Sequence, residues 1–183
     1  MAQTIRIVDP SESSRLTEIG QLTALAYLAD GLVDQAHPYI PQLKDAHARA
    51  EDALLLMMAD GETGEGPVVG TITVVPPGSS FVELAQDDEF ELRMLAVSPI
   101  ERGRGIGATL TRAAMDLAVE KGASRIVLST METMHVAHRL YERMGFTRRE
   151  DLDWTVIDND DGSVSKVSEA EGGIRLIGYS WEP

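Results

Sequence analysis

The sequence predicts a single mixed α/β domain spanning residues 1–183. Three observations carry that expectation. Short apolar runs alternate with stretches of helical spacing, a glycine-rich turn lies between one strand and one helix, and neither repeat nor linker interrupts the chain. A domain of this length buries roughly 70% of the surface its unfolded chain would expose, enough to fold without staples. The 43% apolar and 25% charged composition is that of a folded chain.

The elements follow in order. Ile5 to Val8 reads as a strand, and Pro10-Ser11 opens a helix with Leu16, Ile19, Leu22 and Ala26 on one face. After Gly31 the segment His37-Pro38-Tyr39-Ile40-Pro41 is irregular, because two prolines interrupt any helix there. A polar helix is predicted from Gln42 to about Asp52. The apolar runs Ala53 to Ala59 and Val68 to Val75, joined by a glycine-rich turn, read as an antiparallel hairpin. Phe90 to Val97 is the next strand, stopped by Ser98-Pro99. The following helix places Ile106, Leu110, Ala113, Ala114, Leu117 and Ala118 inward and ends at Gly122. Arg125 to Leu128 is a strand and Met134 to Met144 a short helix stopped by Gly145. Strands Trp154 to Ile157 and Ile174 to Trp181 flank Asp158 to Gly173, an acidic stretch rich in Gly and Ser that reads as a hairpin loop.

Composition excludes several classes of function. The net charge of −14 argues against a long uncovered nucleic-acid surface. No apolar run reaches ~18 residues, so no membrane span is predicted, and Met1 to Pro10 does not read as a signal peptide. The absence of cysteine excludes disulfides, thiolate metal sites and a cysteine nucleophile, and fits a reducing compartment; a cytoplasmic location is the default expectation. His135 and His138 lack the acidic helical partner of a metalloprotease motif, so no metal site is expected, and no Gly-x-Ser-x-Gly supports serine hydrolysis. Charge is nonetheless uneven: residues 101–150 hold nine Lys or Arg against six Asp or Glu. A basic island in an acidic chain is suited to an anion.

That island contains Arg102-Gly103-Arg104-Gly105-Ile106-Gly107 at the junction of a strand and a helix. Alternate glycines let successive main-chain N–H groups face one concavity at a helix N-terminus, which suits phosphate oxygens. The helix dipole adds ~0.3–1 kcal/mol at exposed sites, and Arg102 and Arg104 are expected to raise the positive potential further. The competing reading is a turn that only lets strand and helix pack closely. A P-loop is excluded, since Gly107 is followed by Ala108-Thr109 rather than Lys-Ser/Thr. Gly103 to Ala108 also satisfies a dinucleotide fingerprint, with Glu132 as its ribose acid, but Ser98 to Arg102 separate it from the strand.

Leu95-Ala96-Val97-x-Pro99 followed by Arg102-x-x-Gly105-x-Gly107 resembles the acetyl-coenzyme A motif of the GNAT superfamily of N-acetyltransferases. Ala137-x-x-Leu140-Tyr141-x-x-x-Gly145-Phe146 resembles that family's second motif, so the resemblance covers about residues 90–147. It implies the GNAT fold, a mixed central β-sheet with a splayed strand pair flanked by helices. It also implies acetyl-CoA as co-substrate, transfer to a primary amine acceptor and, by family habit, a homodimer. The main chain of Arg102, Gly103, Arg104, Gly105, Ile106, Gly107 and Ala108 would then bind the pyrophosphate. Leu95, Ala96 and Val97 would border the pantetheine arm, and Tyr141 would serve as acid toward the departing thiolate.

An attacking amine must first lose a proton. Glu91 is the candidate base, since some family members hold a glutamate at the matching position; a surface glutamate in a salt bridge is the competing reading. For Tyr141 the alternative is a core tyrosine. Strict alternation would set Glu91, Arg93 and Leu95 on one strand face and Leu92, Met94 and Ala96 on the other. Met134 stands where family members often have Asn. By resemblance the acceptor pocket would involve Tyr27, Asp30, His37 and Tyr39, and the acidic surface favours a cationic amine. A non-catalytic acyl-CoA sensor is the rival to an enzyme.

Overall fold

The computed structural model describes residues 2–161 and 163–183; Met1 and Gly162, the latter within the stretch read as a hairpin loop, lie outside the described residues. Among the described residues, eight strands form one sheet in the order β1-β2-β3-β4-β5-β8-β6-β7. They are β1 (Gln3–Ile7), β2 (Leu54–Asp60), β3 (Val68–Val75), β4 (Glu89–Val97), β5 (Arg125–Met131), β6 (Thr147–Asp158), β7 (Val164–Val167) and β8 (Ile174–Trp181). β4 and β5 pair parallel while the other pairs are antiparallel. This arrangement departs from the doubly wound parallel sheet of the dinucleotide fingerprint.

Helices cover both faces. On one side α4 (Ile106–Glu120) and α5 (His135–Arg143) enclose a core with Leu56, Met58, Val69, Ile72, Phe90, Leu92 and Ile126. On the other, α1 (Ser13–Ala29) and α3 (Ala46–Asp52) meet Leu55, Met57, Ala59 and Ala96. The period-two alternation of β2, with residues 55, 57 and 59 toward one layer and 56 and 58 toward the other, divides the two cores. Leu16 and Ile19 of α1 are wholly buried, as their spacing predicted, and each such side chain contributes ~1.5–3 kcal/mol. Gly70 of β3 lets α4 approach, since a Cβ there would come within 2.7 Å of Leu110 and 2.9 Å of Ile106.

The polar helix predicted over 42–52 is instead two helices, α2 (Ile40–Lys44) and α3. Asp45 divides them: its side chain accepts the Ala48 N–H at 3.0 Å and caps α3. The stretch from Asp158 to Gly173 is more ordered than a loop. Its residues 164–167 are β7, hydrogen-bonded to β6, which itself begins seven residues before the predicted strand. No helix among the described residues is long and apolar enough to cross a membrane.

β4 and β5 create the central irregularity. They pair only at Glu89, Phe90 and Glu91 with Arg125, Ile126 and Val127, then diverge. The residues of β4 beyond Glu91 therefore present an unpaired edge toward β5. On its other edge β4 carries a bulge, because Thr73 faces Arg93 and Thr71 faces Ala96, leaving an extra residue on β4. Met94 absorbs it at φ +52°, a left-handed conformation costing roughly 1–2 kcal/mol for a residue with a Cβ.

Candidate active site

The glycine segment stands at the end of β4. A 3₁₀ turn, Pro99–Glu101, leads into it, and Gly105 is the N-cap of α4 at φ +80°; Gly103 is also left-handed, at φ +77°. Both positions require glycine for backbone reasons, and a Cβ at either would meet nothing within 4 Å. A Cβ on Gly107 would reach Leu140 and Val97 at 3.7 Å, so that residue sits against the core. Among the described residues, no main-chain amide from Arg102 to Ala108 donates a hydrogen bond within the chain. The unpaired start of α4 is thus a set of outward N–H donors.

The expected contribution of the two arginines is corrected. Arg102 Nη1 donates to Asp30 Oδ1 at 2.6 Å, and Arg104 pairs with Glu101. Each guanidinium is matched by a carboxylate, so local charge adds little and the main-chain amides are the distinctive feature. The same pair accounts for Asp30, which ties α1 to the glycine segment and does not line the cavity described next.

Where β4 and β5 part, a cavity of about 190 Å³ opens between β4, the end of β5, α5, β6 and the segment after α1. Leu95 on β4, Thr130 and Met131 on β5, and Ala137 and Tyr141 on α5 line its splayed end; Tyr27, His37 and Tyr39 line the opposite side with Trp154 and Asp158 of β6. His37 Nε2 lies 3.4 Å from Asp158 Oδ2. Thr130 Oγ1 donates to Met134 Sδ at 3.4 Å, and His138 Nε2 lies 3.0 Å from the Met131 carbonyl.

Glu91 faces this cavity and is 1% exposed, which removes the reading of a surface glutamate. Its Oε2 accepts main-chain N–H groups of Glu83 and Leu84 at 2.9 Å and of Ala85 at 3.3 Å. The carboxylate thereby anchors the segment that carries Glu83, a second cavity carboxylate that sequence reasoning missed. Glu83 Oε1 accepts from Arg93 Nη2 at 2.7 Å. Burial raises the Glu83 carboxyl above its ordinary value, an effect that Arg93 opposes and the Glu91 charge reinforces. Glu83 lies in an aperiodic segment with no motif, so only tertiary structure could find it.

The expected alternation on β4 also fails beyond Arg93. Leu92, Leu95 and Val97 contact the α4 core, whereas Met94 and Ala96 join the α1 side. The bulge at Met94 shifts the phase by one residue, returning Leu95 to the face of Leu92.

Tyr141 is 8% exposed, with its ring 5.7 Å from Phe146 and 6.3 Å from Tyr179. It belongs to the core and borders the cavity at once. Burial lifts its phenol to about 12, so it is a neutral donor at ordinary pH.

A splayed parallel pair, an amide-rich helix start at the splay and an adjoining carboxylate-lined cavity thus meet at one place in the fold. The model of the Acetyltransferase (GNAT) family matches residues 19–146, and the chain belongs to that family. It is 35% identical over 92 residues, half of this chain, to N-acetyltransferase family 8 member 3 of Rattus norvegicus. It is 41% identical over 61 residues, 33% of this chain, to N-alpha-acetyltransferase 30 of Schizosaccharomyces pombe. These matches span 39% and 41% of the two relatives' lengths. The fold is similar to that of the ribosomal-protein-S18-alanine N-acetyltransferase of Escherichia coli, with a TM-score of 0.64 and 19% identity over 99% of this chain and 94% of that one. It is also similar to the PaiA N-acetyltransferase of Thermoplasma acidophilum in complex with coenzyme A, with a TM-score of 0.64 and 16% identity over 97% and 98%.

Proposed function

We propose that the chain transfers the acetyl group of acetyl-CoA to a primary amine by direct attack. The observation that carries this reading is the continuity of the β4–β5 splay with a cavity bordered by Tyr141, Glu83 and Glu91. Outward amides of Arg102 to Ala108 receive the diphosphate, and the open edge of β4 at Leu95 to Val97 pairs with the pantetheine amides. Relatives named as N-acetyltransferases, and neighbours solved with acetyl-CoA or coenzyme A, support the choice of ligand.

The chemistry then assigns roles. The amine gives its proton to the Glu83–Glu91 pair, and its nitrogen attacks the acetyl carbonyl carbon. Main-chain amides at the β4 bulge are the available donors to the developing oxyanion. The C–S bond breaks with its electrons on sulfur. A thiol of pKa ~8.5 is more acidic than a phenol at about 12, so full proton transfer from Tyr141 to the thiolate is uphill. Tyr141 therefore acts as a hydrogen-bond donor to the departing sulfur, and coenzyme A takes its proton from solvent.

The test is release of free thiol from acetyl-CoA over a panel of small amines, polyamines, amino acids and peptide amines. At least one acceptor should support turnover. Tyr141→Phe should lower kcat about 10²-fold, the scale of a lost oxyanion-type donor, while changing acetyl-CoA affinity by less than about threefold. Coenzyme binding without turnover on any amine would favour the sensor.

A further inference from the structure

Lys166, one of three lysines in the chain, is exposed and stands at the rim of the cavity, in contact with Trp154 and Glu83, which line it. Lys44 ends α2 and Lys121 follows α4, and neither lines it. Lys166 lies on β7 directly opposite Val156, and Trp154, Val156 and Asp158 all line the cavity from β6. Paired residues of an antiparallel ladder project to the same face, so the Lys166 side chain leaves the hairpin toward the cavity. Its ammonium stands 4.5 Å from the Trp154 ring centroid and donates to the Glu83 carbonyl at 3.1 Å. The side chain thus spans from the β6–β7 hairpin to the segment held by Glu91.

A second observation concerns Trp154 itself. Its indole Nε1 is buried and has no hydrogen-bond partner among the described residues, although a buried indole N–H usually finds one. The ring therefore offers an occupied cation-binding face and an unused donor at the edge of the same cavity. Carboxylates of Glu83, Glu91 and Asp158 against one guanidinium, Arg93, make the lining favourable to a cation.

We propose that the Trp154 face and the Glu83 main-chain carbonyl form a primary-ammonium subsite, which Lys166 fills as a built-in competitor that an incoming amine must displace. The inference rests on the acetyltransferase reading for the identity of the ligand as an acceptor, but ammonium binding itself requires no turnover. An acceptor that enters carries its charged head to Trp154 before it is deprotonated beside Glu83. Removing the lysine charge frees the subsite; keeping a cation there leaves it filled.

The experiment is calorimetric titration of the full chain with n-butylammonium and, separately, with n-butanol. Lys166→Gln should bind n-butylammonium about fivefold more tightly than the parent, the scale of a partly exposed cation–π contact. Lys166→Arg should remain at the parental value, n-butanol should be unaffected in all three proteins, and Trp154→Leu placed on Lys166→Gln should abolish the gain. Equal n-butylammonium affinity in the parent and Lys166→Gln would overturn the proposal, as would equal tightening toward the alcohol. Acetyl-CoA titrated into the same proteins separates the two ideas: its failure to bind counts against the acetyltransferase reading, whereas the ammonium result judges the subsite alone.

Discussion

Three main-chain amides converge on Glu91 Oε2, so that oxygen is committed to holding the segment that carries Glu83. In the proposed reaction Glu83 accepts the amine's proton, because burial holds its carboxyl above the ordinary glutamate value. Glu83 must be ionised to accept a proton, so kcat/KM should rise with pH through that raised value. Glu83→Gln should remove this acid limb and lower kcat/KM about 10²-fold or more, on the scale of a lost general base. A retained limb in the variant would return the role to Glu91. Linkage runs the other way for stability: a raised folded-state value stabilises the fold below the unfolded pKa, and the contribution is lost as pH rises through the folded value. At this scale the sequence pointed to Glu91 and Tyr141 as candidates through the family positions they match, and both line the cavity. Glu83 and Trp154 match no such position, and their roles depend on segments brought together only in the fold.

At the scale of elements, the junction of β4 and α4 carries the proposed coenzyme site. Its strand, turn and helix were legible because Ser98-Pro99, the glycines and the three- and four-residue apolar spacing are local signals. The bulge was not, since nothing in the Leu92-Arg93-Met94-Leu95 pattern demands a left-handed methionine; the mismatch arises from pairing with β3. The first half of β6, Thr147 to Asp153, is dense in charge and lacks clean alternation, and the pairing of its Thr147 to Arg149 with β8 overrides that weak local preference. Gly105→Ala tests the junction. An alanine at φ +80° carries left-handed strain of about 1–2 kcal/mol, so thermal stability should fall slightly and acetyl-CoA affinity about tenfold, as the amide array shifts. Unchanged affinity would detach ligand binding from this turn.

At the scale of the molecule, an acidic chain of net charge −14 is asked to bind an anion. The basic stretch 101–150 softens the conflict, but Arg102 and Arg104 are already neutralised by Asp30 and Glu101. Main-chain dipoles at the α4 start, fixed by the packing of Ile106 and Leu110 in the core, are what the proposed mode leaves to hold the diphosphate. The same acidity favours a cationic second substrate on the far side of the sheet's split. Residue-resolved amide NMR during titration with coenzyme A examines this division most directly. The amides of Arg102 to Ala108 should shift together with those of Met94 to Val97, saturating at one equivalent. If both segments stay unmoved at saturating coenzyme A, the glycine turn does not hold the ligand and the account fails.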